Sequence, residues 1–177
     1  MGHKMSHNII DKKTLKYACF QTIFVRKPPL VMTCEVNIQR TENSSVIMDH
    51  FETRFPEIEH THIAFSNCEN QTQILKNLCH YQELNFLKMD PKTFMAHFPF
   101  AFPFIFVLFN KEKNIEHLVE QVVWFVNRTY VGSRFVFNEW NQYNNKIIKD
   151  ILDCYNFKPV SGYKDEVICY ERFKRNA

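Results

Sequence analysis

Apolar and polar positions divide the chain into a faint first half and a sharp second half. Across residues 31–38, Val31, Thr33, Glu35 and Asn37 alternate with Met32, Cys34, Val36 and Ile38. A period of two predicts a strand with one apolar face. Residues 23–25 predict a shorter strand, set apart by Pro28-Pro29, through which no helix can run. A polar loop spans 39–45, and a short helix is expected over 46–54. Residues 62–65 (HIAF) read as a strand. Over 70–78, Ile74, Leu75 and Leu78 share one helical face.

From residue 104 the pattern sharpens. FIFVLF at 104–109 is an unbroken apolar run, as expected of a strand covered on both faces. After the polar loop 110–114, Ile115, Leu118, Val119, Val122, Phe125 and Val126 recur at helical spacing. Asn114 is placed to cap that helix, with Glu116 and Glu120 in its early turns. RFVF at 134–137 predicts the next strand. A helix opened by Asn141 carries Ile147, Ile148, Ile151, Leu152 and Tyr155 on one face. Residues 157–160 and 167–173 close the chain as strands around Gly162. The order β-α-β-α-β-β implies an α/β fold, a mixed sheet with helices packed on it.

Length and composition narrow the function classes. At 177 residues the chain fits one domain with or without a tail, here expected as a basic, partly flexible segment over 1–60 and an α/β domain over 61–177. There are 18 Phe but only 3 Gly, which argues against a phosphate-cradling glycine loop, where a Cβ obstructs close backbone approach. The net charge of +3 is too small to nominate nucleic acid. Charge is unevenly spread, however: +5 over 1–30, −5 over 31–90 and +3 over 91–177. No apolar run reaches the length of a membrane span, and the N-terminus does not read as a secretory signal. The six cysteines include no CxxC pair and suit reduced, mostly buried thiols.

Candidate chemistry is sparse. His60, His62, Cys68, Cys79 and His80 are ligand types close in sequence, and His60 and His62 on one strand would face the same way, but their spacing matches no zinc pattern. His62 in HIAF has a faint likeness to the strand motif of two-histidine phosphoesterases, yet neither His97 nor His117 supplies the second strand. Cys79-His80 are adjacent, which points their side chains apart, and no G-x-S-x-G occurs. Neither a catalytic residue nor a metal site is therefore nominated.

The C-terminal layout resembles the GCN5-related acetyltransferases (GNAT), although residues 110–114 contain no glycine with which to grip coenzyme A. A GNAT-like fold without that grip resembles the ornithine decarboxylase antizymes. The matching residues are FIFVLF, Lys113, His117-Leu-Val-Glu120, RFVFN, Asn141, IIKDILDCY, Asn156-Phe-Lys-Pro-Val160 and VICYERF, over about 75 residues. Asn156 stands where that family has Gly, and Val123 and Trp124 replace acidic positions. The resemblance implies a non-catalytic inhibitor that binds the ornithine decarboxylase monomer and delivers it to the proteasome. Lys113, Glu120 and Val160 would be its contact residues; no cofactor, nucleic acid or membrane is implied, and the location would be cytoplasmic, with the nucleus as a second compartment. A divergent acyltransferase using acetyl-CoA is the alternative, and an α/β domain that binds some other protein is the third reading.

Overall fold

The computed structural model describes residues 9–22, 30–98, 103–140, 145–163 and 166–174. Helix α1 (Lys12–Thr22) leads to strand β1 (Leu30–Val36), helix α2 (Glu42–Arg54), strand β2 (Glu59–Ser66) and helix α3 (Gln71–Leu78). Strand β3 (Leu84–Lys88), helix α4 (Pro91–His97), strand β4 (Phe104–Phe109) and helix α5 (Ile115–Val126) follow. Strand β5 (Arg134–Phe137), helix α6 (Lys146–Cys154), strand β6 (Phe157–Pro159) and strand β7 (Ile168–Arg172) complete the order. The expected strand over 23–25 and the opening of a helix at Asn141 lie outside the described residues.

All seven strands form one sheet in the order β3-β2-β1-β4-β5-β7-β6. The first five run parallel, and β7 lies antiparallel between β5 and β6. Sequence order therefore reverses between β1 and β4. A boundary at residue 60 falls inside β2, and β1, from the segment read as a tail, is a central strand paired on both sides.

Successive residues of a strand point to opposite faces, and the core is divided accordingly. Met32, Cys34 and Val36 join a cluster with Phe94 of α4, Leu118, Val122 and Phe125 of α5, and Ile148 and Leu152 of α6. Val31 joins the opposite cluster with Leu15 of α1 and Ile47 and Phe51 of α2. Helices cover both faces, so the architecture is a doubly wound α/β fold. This corrects the reading of residues 31–38 as a strand with one apolar face: Thr33 and Glu35, on the polar side of that alternation, are buried under α2.

Local chemistry explains the element ends. The Asn114 side chain accepts from the Glu116 and His117 amides and caps α5. Asp90 accepts from the Thr93 amide and, with Pro91 next to it, starts α4. Phenylalanine fills much of the core: Phe109 and Phe137 stack at 4.8 Å, and Phe65 and Phe94 at 4.1 Å. No helix among the described residues is long and apolar enough to cross a membrane.

Candidate functional site

In an open α/β sheet, ligands bind outside the carboxyl ends of the strands where strand order reverses, because the two following loops leave to opposite faces and open a crevice. Here that place is the carboxyl edge of β1 and β4. The chain after β1 passes to α2 on one face, and the chain after β4 passes to α5 on the other.

The edge is polar and rich in carboxylates and amides. Glu35 is 1% exposed. Its carboxylate accepts from Ser44 Oγ of α2 and, at 3.0 Å, from Asn110 Nδ2 at the end of β4. Asn110 also donates to the Val36 carbonyl, at 3.2 Å, and its Oδ1 accepts from Asn138 Nδ2 at the end of β5, at 3.4 Å. Two neighbouring parallel strands thus each end in an asparagine, and the pair ties three strand ends together. Burial pushes the Glu35 carboxyl up to about 7; the hydrogen bonds from Ser44, Asn110 and Asn43 oppose that rise, and Glu42 adds to it.

Glu112 lies at the mouth. It accepts from Asn37 Nδ2 at 3.3 Å, from Gln121 Nε2 of α5 at 3.2 Å and from the Asn114 amide at 3.1 Å. The Asn37–Glu112 bond spans the two diverging loops. Asn37 has φ of 57°, in the left-handed region that glycine occupies without cost. Glu139, at φ 57°, follows Asn138 beyond β5.

Behind Glu35 the polar chain continues under α2. Ser44 Oγ lies 2.8 Å from His62 Nε2, and Thr33 Oγ1 lies 2.7 Å from both His62 Nδ1 and His60 Nε2. Burial holds both imidazoles neutral: His60 is pushed down to about 3, and His62 well below its usual value, helped by His60 beside it. His60 Nδ1 has no hydrogen-bond partner. The expectation that His60 and His62 face one way holds, and their shared neighbour is a threonine. Among the described residues no group of three or more His, Cys, Asp or Glu is arranged to hold a metal.

Lys113 is exposed in the β4–α5 loop, Glu120 is exposed on α5, and Val160 is half-buried just past β6, its amide donating to the Cys169 carbonyl at 2.8 Å. They sit on three different elements. The residues that sequence reasoning missed are Glu35, Ser44, Asn110, Asn138 and Glu112. One signal was available: a carboxylate inside an apolar strand, and two apolar strands each followed at once by Asn.

No family model matches the sequence, and no curated protein matches it. Solved structures with the same fold do. An rRNA methylase from Streptococcus thermophilus superposes with a TM-score of 0.66 at 9% identity, covering 92% of this chain and 95% of that one. The N-methyltransferase NodS from Bradyrhizobium japonicum gives 0.61 at 7% identity over 92% and 96%. A precorrin-6y C5,15-methyltransferase from Geobacter metallireducens gives 0.63 at 11% over 94% and 92%. These neighbours overturn the GNAT-like and antizyme-like expectations. The readings as a decarboxylase inhibitor that targets its partner to the proteasome, as a non-enzyme and as an acetyl-CoA acyltransferase fall with them. The two layouts share a β-α alternation in the second half, and strand order separates them. The chain shares a Rossmann-like fold with these solved structures.

Proposed function

We propose that the protein is an S-adenosylmethionine-dependent methyltransferase whose cofactor site is the crevice between the ends of β1 and β4. The observation that carries this reading is the reversal of strand order at an edge lined by Glu35, Glu112, Asn37, Asn110 and Asn138.

The chemistry of that set suits the cofactor. A dinucleotide needs bare amides and glycines around its pyrophosphate. Residues 37–41, Asn-Ile-Gln-Arg-Thr, contain no glycine, and one carboxylate, Glu112, stands at the mouth with a second, Glu35, buried beneath it. Both features oppose a phosphate. S-adenosylmethionine has no phosphate and carries a sulfonium and an ammonium, which carboxylates attract. Bound there, it would supply an electrophilic methyl group.

The chain's own residues do the rest. Glu112 offers its carboxylate to ammonium or hydroxyl donors, which take the place of the Asn37 amide. Glu35, when ionised, puts negative charge beneath the crevice, where low dielectric strengthens its pull on a cation. Asn110 and Asn138 fix the strand ends, so that the charge stays in place.

Thermal denaturation tests the reading. A ligand at 100 times its dissociation constant stabilises a protein by about 2.7 kcal/mol. Millimolar S-adenosylmethionine should raise the melting temperature, NAD should not, and Glu112→Gln should shrink the rise. No rise with S-adenosylmethionine, or an equal rise with NAD, would overturn the proposal.

A further inference from the structure

The buried polar chain has a property that goes beyond the proposed activity. Its links run Glu35–Ser44–His62–Thr33–His60, at 2.7 to 2.8 Å from Ser44 to His60, with Ser44 donating to Glu35 at the other end. Between Glu35 and His60 it covers four residues of strand rise, about 13 Å. The hydroxyls of Ser44 and Thr33 have one proton each, and each imidazole, being neutral, has one N–H. One end therefore dictates the polarity of every link.

With Glu35 ionised, Ser44 donates to it, His62 Nε2–H donates to Ser44, Thr33 donates to His62 Nδ1, and His60 Nε2–H donates to Thr33. His60 Nδ1 is then bare. With Glu35 protonated, every link reverses and His60 Nδ1 bears the hydrogen. We infer that these five residues form a proton relay that carries the Glu35 proton to and from His60 by exchanging the tautomers of both histidines.

The step balances. On ionisation, the proton of Glu35 passes to Ser44 Oγ, that of Ser44 to His62 Nε2, that of His62 Nδ1 to Thr33 Oγ1, and that of Thr33 to His60 Nε2. His60 Nδ1 is shielded from solvent, so its proton leaves to water only when water enters beside the ring. His60 lines a cavity of about 300 Å³ with Phe51, Phe55 and Ile58, rimmed by Glu52, Glu59 and Glu83, and these carboxylates favour a departing proton. Its ring stacks on Phe51 at 4.2 Å, which holds it in plane.

The groups facing Glu35 leave it as the titrating end. Next to it on β1, on the opposite face, is the Cys34 thiol, which burial pushes well above its usual value; from α2 there are Glu42 and the polar Asn43 and Ser44; from β2 there is His62; from β4 there is the amide of Asn110. The histidines stay neutral through the range in which Glu35, at about 7, changes charge.

Histidine 15N NMR of the whole chain between pH 5 and 9 reads this directly. Both rings should remain neutral and exchange Nδ1–H for Nε2–H with one shared midpoint near pH 7. Ser44→Ala, which cuts the chain, should abolish the exchange. Should that variant fail to fold, Glu35→Gln should leave each ring in one tautomer at every pH. Rings that keep one tautomer in the native protein, that become imidazolium in this range, or that still exchange in either variant overturn the relay. A second titration, with S-adenosylmethionine present, rests on the proposed function: a cation in the crevice should move the midpoint to lower pH. An intact exchange with no movement would sink the cofactor reading and leave the relay standing.

Discussion

Glu35 is the residue on which site and stability meet. Its folded-state carboxyl titrates at about 7, against 4.5 unperturbed. Between those values the folded chain keeps a proton that the unfolded chain has released. The contribution of Glu35 is therefore full below pH 4.5 and is lost as pH rises to 7, by about 3 kcal/mol in all. His60 and His62 act in the opposite sense, losing stability as pH falls below 6.5. Their effect is common to native protein and variant and cancels in the difference. Urea unfolding should show Glu35→Gln gaining about 3 kcal/mol on the native protein between pH 4.5 and 8. A difference independent of pH would refute the assignment.

At the scale of elements, the strands whose pattern is unambiguous were legible. Residues 104–109 and 134–137 form β4 and β5 as expected, because runs of Phe, Val, Ile and Leu buried on both faces allow little else. Asn114 caps α5 as its position predicts. Helix α1 was missed, since it buries small residues, Ala18 and Cys19, beside Leu15 and shows no broad apolar stripe. Strand β3 was missed as a half-exposed edge strand, and α4 as a helix of only 7 residues. The alternation puts Glu35 opposite the apolar face of β1, and alternation cannot tell a wet face from one that a helix covers with hydrogen-bonding partners. The β1–α2 loop carries its own test. Glycine fits the left-handed backbone at Asn37 at a saving of about 1 kcal/mol, and lacks the side chain that reaches Glu112. Asn37→Gly should change unfolding free energy by no more than about 1 kcal/mol and tighten binding in the crevice. Weakened binding, measured by titration, would show that the amide holds ligand instead of closing the mouth.

At the scale of the molecule, the proposed function rests on the order of strands, which local pattern does not encode. The same β-α alternation suits an acyltransferase-like sheet and a doubly wound one. What separates them is the central place of β1 between β2 and β4, a pairing between residues more than 70 apart in sequence. That placement puts Glu35 and Glu112 at the strand-order reversal, where, on the proposed reading, their carboxylates favour a cation over a phosphate. Calorimetric titration of the 177-residue chain with S-adenosylmethionine at pH 8, with Glu35 ionised, tests this most directly. One saturable site per chain, weakened at least several-fold by Glu112→Gln, is the expected result. Absence of heat at millimolar ligand, or equal binding by native and Glu112→Gln protein, would contradict it.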